Sequence, residues 1–135
     1  MSETYEFLHP QSWKKPKGFA NGIVAEGRVV FLAGQIGWNA EQEFDSADFV
    51  AQARQALANI VALVAEAGGR PEHITRLTWF VTDKKDYLSR LSELGQAYRA
   101  VMGKHFPTMT LVQVVALVED LAKVEIEATA VVPHR

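Results

Sequence analysis

The chain contains no cysteine among its 135 residues, and this absence limits its chemistry. Disulfide bonds, thiolate catalysis and cysteine metal sites are all excluded. The four histidines show no HxH or HExxH spacing, so the sequence predicts no metal site. The segment GQIG at 34–37 lacks the GxGxxG spacing of a dinucleotide fingerprint, and we expect no cofactor.

Long apolar runs and a strong excess of one charge are also missing. No apolar stretch approaches the ~20 residues that a membrane-spanning helix needs. The first ten residues lack a basic start followed by an apolar run, so we expect no signal peptide and a cytoplasmic location. A net charge of −2 gives no general attraction to nucleic acid or to anionic membranes, and neither is expected as a partner.

The chain has enough apolar residues to form one hydrophobic core. Its length fits a single domain over residues 1–135, and 48% of its residues are hydrophobic. Residues 1–18 are polar and contain two prolines, which predicts an irregular N-terminal segment. The remainder alternates between β-type and helical patterns.

These patterns predict an α+β fold with the element order ββαβαββ. A helix is indicated by apolar residues at three- and four-residue spacing, and a strand by runs rich in Val, Ile and Phe. The predicted order gives one mixed sheet with two helices on one face. The predicted elements are hairpin strands at 22–25 and 28–33, a loop at 34–43, a helix capped by Ser46 and ended by Gly68 and Gly69, a strand at 74–82, a helix capped by Asp83 or Asp86 and ended by Gly103, and strands at 109–118 and 123–132.

The run LVQVVALV at 111–118 is apolar on both faces apart from Gln113. A strand of this kind needs cover on both sides, and the two predicted helices cover only one face of the sheet. We therefore expect other subunits to cover the second face, as large apolar patches usually mark interfaces. The alternative is that the N-terminal segment folds over it. The sequence does not fix the number of subunits.

Five segments together resemble the RidA/YjgF family: FLAGQIG at 31–37, AQARQALANIVALVAEAGG at 51–69, FVTDKKDY at 80–87, FPTMT at 106–110 and VEIEATAV at 124–131. The resemblance covers the chain from about residue 18 to residue 132. It implies a chorismate-mutase-like fold and a barrel-shaped homotrimer with small-molecule clefts between subunits. It also implies hydrolysis of reactive enamines and imines with release of ammonia and without a cofactor. Some family members carry an endoribonuclease label.

The resemblance also implies site residues, and several depart from the family pattern. The family's deaminating members have a carboxylate-binding arginine two residues after the proline of the FPxR stretch, where this chain has Met109. The family cysteine two positions later corresponds to Leu111, and the glutamate of the final strand is retained as Glu125. One inserted residue near Leu121 separates these blocks. The remaining cleft positions that the resemblance gives are Phe19 for an aromatic residue, Ala33 for a serine, and the neighbouring Gly34 and Gln35.

The departures replace polar groups with apolar ones. Methionine offers none of arginine's paired charged hydrogen bonds, and losing such a contact typically costs about 2–5 kcal/mol. We therefore expect a substrate without a conventionally bound α-carboxylate. Glu125 is the candidate for handling water and protons. The substrate-binding candidates are Gln35 and Thr110 for polar orientation, Ala33 and Gly34 beside the cleft, and Phe19, Trp38, Met109 and Leu111 for its apolar wall.

Three readings of the function remain open at this point. The first is a cofactor-free deaminase with altered specificity, which Glu125 favours. The second is a non-catalytic trimer that binds an apolar metabolite or a protein partner, which Met109 favours. The third, RNA cleavage, rests on the family label alone, because the chain lacks the basic, aromatic surface of single-strand binders.

Two further residues have expected roles outside these candidates. His105 could assist proton transfer, and Trp79 is expected to pack in the core or in an interface.

Overall fold

The computed structural model describes residues 5–135. It contains six strands and three α-helices within that range, with one short 3-10 turn at Pro71–His73. No helix among the described residues is long and apolar enough to cross a membrane. The elements are β1 (Tyr5–Leu8), β2 (Gly22–Ala25), β3 (Arg28–Ile36), α1 (Phe49–Glu66), β4 (Ile74–Val81), α2 (Lys84–Ser89), α3 (Leu91–Met102), β5 (Thr108–Gln113) and β6 (Val124–Val132).

The main sheet has four strands in the order β3-β6-β4-β5. Strands β4 and β5 run parallel, and the other two pairs are antiparallel, so the sheet is mixed. Helices α1 and α3 are the long helices and pack against each other, and α1 also contacts β3 and β6. The predicted α+β fold with one mixed sheet and two main helices on one face is confirmed.

Strand β6 shows how the sequence pattern positions the site. Its alternate residues, from Val124 and Ile126 to Val132, are buried beneath the helices. Glu125 and Glu127 fall between them and therefore face the opposite side of the sheet, as the alternation predicts. Burial of α1 against this strand, through side chains such as Leu57 and Ile60, supplies much of the core.

Helix α1 begins two residues later than Ser46 suggests. Asp48 is the N-cap, and its Oδ2 accepts a hydrogen bond from the backbone N–H of Ala51 at 3.0 Å. Ser46 instead accepts a bond from the N–H of Asp48 and so supports the cap. The prediction that Ser46 caps the helix directly was wrong, because both residues suit the role and only the backbone path selects one.

The N-terminal part of the sheet differs from the predicted hairpin. Strand β2 pairs with β1 in a separate two-stranded sheet, and β3 pairs with β6 instead of β2. The segment predicted to be irregular therefore contains a strand, although residues 1–4 lie outside the described range. The pairing with β6 lets Val30 and Leu32 pack on the core, which a local hairpin would not do.

The second helix is divided although it ends at Gly103 as predicted, and the strand after it is shorter than predicted. The second helix is divided at Arg90, whose backbone leaves the helical conformation and separates α2 from α3; Asp83 caps α2 as one of the two predicted candidates. Strand β5 ends at Gln113, whose Oε1 accepts a hydrogen bond from the N–H of Lys84 at 2.8 Å. The prediction that this strand continues to residue 118 was wrong, because β5 ends at Gln113. Val115 and Val118 are almost fully exposed in the single chain, so cover by other subunits stays a prediction.

Candidate functional site

Glu125 lies against the backbone of Gly34. A Cβ added at Gly34 would overlap Oε2 of Glu125, so only glycine leaves room for the carboxylate there. Glu125 is half-buried on the outer face of β6, and its carboxylate makes no hydrogen bond or ion pair with any of the residues 5–135. The structure therefore brings two predicted site residues together around one unpaired carboxylate.

A bulge in β3 creates this arrangement. The register with β6 shifts between Leu32 and Gln35, which leaves Ala33 and Gly34 outside the regular pairing. The side chain of Gln35 donates a hydrogen bond to the carbonyl of Ala33 at 3.1 Å and so closes the bulge. The backbone N–H and C=O groups of the bulge, which would otherwise take part in the regular β3–β6 pairing, therefore lie next to Glu125.

Met109 and Leu111 lie elsewhere, on the helix-facing side of the edge strand β5. Both pack against the core, and together with Phe19 they line a cavity of about 430 Å³. The cavity lies between β5, the short helix α2, the longer helix α3 and residues 17–19. Lys17 is its one charged lining residue within the described chain. The other lining residues are Gly18, Trp79, Tyr87, Leu91, Leu94, Gly95, Tyr98 and Phe106.

The polar groups of this cavity are few. Burial raises the pKa of Tyr98, and its protonated hydroxyl donates to the carbonyl of His105 at 2.6 Å. The ring of Tyr98 stacks on Phe106 with centroids 5.1 Å apart. Trp79 is 4% exposed, and its Nε1 is buried without a hydrogen-bond partner among residues 5–135. The cavity is thus a largely apolar pocket.

Thr110 points to the other face of the sheet from Met109, as strand alternation requires. It lines a second cavity of about 540 Å³ that also contains Arg76, Thr75 and Thr129. Arg76 is exposed and has no ion pair among the described residues. Phe19 and Met109 line this cavity as well, so Thr110 shares it with two of the apolar residues that it was predicted to accompany, whereas Leu111 lines only the first cavity.

Trp38 and His105 occupy structural positions in this chain. Trp38 packs on Phe44 with ring centroids 6.0 Å apart, and its carbonyl accepts a bond from Asn59 of α1. Neither residue lines any of the cavities described above. Nε2 of His105 lies 2.6 Å from the carbonyl of Ile74, and burial lowers the pKa of this imidazole. His105 is thus a neutral ring whose N–H is already committed to the backbone.

Within one chain, the predicted site residues fall into two groups. Ala33, Gly34, Gln35 and Glu125 lie at the β3–β6 side of the sheet, whereas Phe19, Met109 and Leu111 lie around the β5 edge. Strands β3 and β5 are opposite edges, about 14 Å apart at the usual spacing between strands. The two groups also use opposite faces, so a single copy does not join them into one site.

Reading the sequence missed most of the cavity. Tyr87, Leu91 and Lys17 were not among the predicted site residues, although all three line the cavity. Trp79 was assigned to packing, and its unpaired donor has no signal in the sequence. The break at Arg90, which separates the two helical walls of the cavity, involves neither proline nor glycine and so has no signal in the sequence either.

Comparison with known proteins gives a consistent family. The sequence model of the family described as Endoribonuclease L-PSP matches residues 13–132. A 2-iminobutanoate/2-iminopropanoate deaminase of Escherichia coli strain K12 is 37% identical over 108 residues, covering 78% of this chain and 80% of that protein.

Solved structures agree with this fold. A Rid-family protein of unknown function from Yersinia pestis, YyfB, superposes with a TM-score of 0.85 at 28% identity and covers 96% of this chain and 100% of its own. Escherichia coli TdcF, solved with bound serine, gives a TM-score of 0.66 at 33% identity and covers 93% of this chain and 98% of its own.

Proposed function

The chain belongs to the Endoribonuclease L-PSP family, and from this premise we propose that it hydrolyses a reactive enamine or imine without a cofactor. The named activity of the similar E. coli deaminase supports the reaction class. In this reaction water adds to the carbon of the C=N bond, and the resulting carbinolamine then splits. The products are a carbonyl compound and ammonia.

The observation that carries the proposal is the unpaired carboxylate of Glu125 beside the β3 bulge. A carboxylate held against displaced backbone can accept a proton from water as the water attacks and return it to the departing nitrogen. Gly34 leaves space on the same side of the strand, and Gln35 fixes the bulge. Glu127 shares this face but is exposed and serves as a natural comparison.

The substrate we propose is less polar than a small 2-imino acid. Met109 packs against the core and itself offers no charged group to a carboxylate, although Arg76 lines the second cavity with it. Removing one partner of a buried charge pair costs about 2–5 kcal/mol, so a substrate that depended on such a pair would bind poorly. The cavity of about 430 Å³ instead suits an apolar side chain.

We further propose that the cleft forms between copies of the chain in a homotrimer. The Glu125 group and the Met109 cavity lie at opposite edges and on opposite faces of one sheet. A neighbouring copy can bring its β3–β6 edge to the β5 edge of the first, which unites the two groups. Closed cyclic arrangements of this kind are common because they leave no interface unpaired.

A second candidate function is binding without chemistry. The cavity is apolar, and its one charged lining residue among those described, Lys17, is exposed. This composition suits retention of an apolar metabolite. Binding without chemistry is the function to assign if replacing Glu125 leaves turnover unchanged.

The test measures ammonia release from freshly generated imines, with and without α-carboxylates. We compare the wild-type chain with Glu125→Gln and with the matched control Glu127→Gln. The expected result is faster hydrolysis of carboxylate-free imines, a loss of about 10²- to 10⁴-fold in Glu125→Gln, and near-normal rates in Glu127→Gln. No acceleration of any imine would favour the binding function, and equal losses in both variants would remove Glu125 from its role.

A further inference from the structure

Arg76 lies in the second cavity, of about 540 Å³, on the sheet face opposite the helices. It belongs to β4, where it pairs with Thr108 of β5 and Thr129 of β6. Directly paired residues share a face of the sheet, and all three line this cavity. The side chain of Arg76 is exposed, so a ligand can reach it, and it makes no hydrogen bond or ion pair with residues 5–135.

Two threonine hydroxyls beside Arg76 are also unused. Oγ1 of Thr108 donates to the carbonyl of Thr75 at 2.6 Å, and Oγ1 of Thr75 lies 3.1 Å from the carbonyl of Thr129, to which it donates. The hydroxyls of Thr110 and Thr129 make no hydrogen bond within the described range. Thr110 is two residues beyond Thr108 on β5 and therefore shares its face. Free hydroxyl donors thus flank Arg76 on both neighbouring strands.

The charge and the shape of the cavity favour an amphipathic anion. Arg76 is its one charged lining residue in the part of the chain that the structure describes, so no carboxylate lining the cavity competes for the guanidinium. Glu127 lies on the same face, outside the cavity, and forms no ion pair with Arg76. A guanidinium presents paired donors that match the two oxygens of a carboxylate. The apolar part of the lining consists mainly of Leu8, Phe19, Ile23 and Met109.

We propose that Arg76, assisted by Thr110 and Thr129, binds a carboxylate at the end of an apolar ligand side chain. The inference rests on the proposed function and names its substrate class, an imine with the acid on its side chain instead of on its α-carbon. Arg76 is on the strand next to Met109, about 5 Å further from the β5 edge at the usual strand spacing. Apolar atoms that pack on Phe19 and Met109 span this distance.

A pair of matched probes isolates the charge that Arg76 recognises. The compounds 3-phenylpropanoate and 3-phenylpropanamide have nearly the same shape, and only the first is an anion. Dissociation constants are measured for the wild type, Arg76→Gln, Arg76→Lys and the control Arg54→Gln. Arg54 is exposed on α1, on the other side of the sheet, and lines neither cavity. Binding equilibria require no turnover, so this result is separable from failure of the deaminase proposal.

The wild type and Arg54→Gln are expected to bind the carboxylate about 3- to 20-fold more tightly than the amide. Arg76→Gln should lose this preference, whereas Arg76→Lys should keep part of it, because lysine retains the charge without the paired donors. Equal ratios in the wild type and Arg76→Gln would overturn the inference. An equal loss in Arg54→Gln, or failure of both probes to bind the wild type, would overturn it as well.

Two measurements keep the test independent of whether Arg76→Gln folds. In the wild type, the preference for the carboxylate should fall several-fold when NaCl is raised to about 0.5 M, because salt screens an exposed charge pair. Thr110→Val keeps the shape of the side chain, removes one hydroxyl and should lower the preference by about 2- to 5-fold. A preference that neither the salt nor Thr110→Val changes would contradict the proposal.

Discussion

In the proposed reaction, Glu125 and Gly34 carry the chemistry at the scale of single residues. The absent side chain at Gly34 makes the space that the carboxylate occupies, so the two positions depend on each other. No ion pair or hydrogen bond within residues 5–135 neutralises the carboxylate, which leaves it available to a water molecule.

Gly34→Ala is expected to lower the rate of imine hydrolysis by about 10²-fold, because the new methyl group displaces the carboxylate by roughly 1 Å. The measurement is kcat for wild type, Gly34→Ala, Glu125→Gln and the double variant. The double variant should be little slower than Glu125→Gln alone, since both changes affect the same group. Simple multiplication of the two losses would show that Gly34 acts independently of Glu125.

Only some of the contacts between individual site residues could be predicted from the sequence, and the reason is physical. Strand alternation placed Glu125 opposite the core, and the family resemblance placed Gly34 beside the cleft; the structure brings them into contact. Thr110 was grouped with Met109 and Leu111; it shares a cavity with Met109, but Leu111 lines only the other cavity. The unpaired donor of Trp79 could not be predicted, because pairing depends on which acceptors tertiary packing brings near.

At the scale of elements, Arg90 connects the start of α1 to the junction of α2 and α3. Its guanidinium lies 2.6 Å from Oδ1 of Asp48 and 2.9 Å from Oε2 of Glu93. The junction divides the helical wall of the cavity, with Tyr87 before it and Leu91 after it. This ion-pair group therefore fixes the position of two cavity walls as well as the cap of α1.

The pH dependence of stability should report this connection. The hydrogen bond from Arg90 holds the pKa of Asp48 below its usual value of 3.8, so the ionised form is favoured in the folded chain. A lowered pKa contributes stability above the unfolded value, and that contribution is lost as the pH falls through the folded value. Asp48 is thus expected to stabilise the fold at neutral pH and to contribute nothing in strong acid.

Denaturant unfolding of Asp48→Asn and Asp48→Ala separates the cap from the ion pair. Asparagine keeps the cap and loses the charge, whereas alanine loses both and should cost about 1 kcal/mol more from the missing cap. The difference between wild type and Asp48→Asn should shrink as the pH falls below 3.8. A difference that stays constant from neutral pH to pH 2 would contradict the role of Arg90.

Elements were predicted correctly where the repeat of apolar residues is uninterrupted. The prediction failed where a single side chain ends an element. The apolar repeat of α1 and the alternation of β6 were read correctly because the core selects them. The break at Arg90 involves neither proline nor glycine, and the end of β5 depends on Gln113 reaching Lys84 from a distant part of the chain. Both require knowledge of the neighbours in space.

At the scale of the whole molecule, the sheet face opposite the helices is uncovered and partly apolar. Phe31 is 82% exposed, and Val29 and Val112 are also exposed. Burying such a face against other copies gains roughly 25 cal/mol for each Å² of apolar surface removed from water. The expectation that subunits cover this face came from a strand that proved shorter than predicted, and the uncovered face of the sheet still supports it.

The proposed trimer predicts a solution mass near three times 15.0 kDa. Phe31→Glu places a charge in the uncovered face and should shift the mass toward a single chain. Leu63→Glu is the control, because Leu63 is exposed on α1, on the helix side. Light scattering coupled to gel filtration makes the measurement, and a wild-type monomer at micromolar concentration would rule out a cleft between copies.

The central claim, that one chain supplies Glu125 and another supplies the Met109 cavity, is tested by mixing two inactive variants. Glu125→Gln removes the carboxylate, and Leu111→Trp fills the cavity. Refolded together in equal amounts, they should recover about a quarter of the wild-type rate of ammonia release, because a quarter of randomly formed clefts combine two intact parts. A mixture no more active than either variant alone would place the site within one chain and contradict the account.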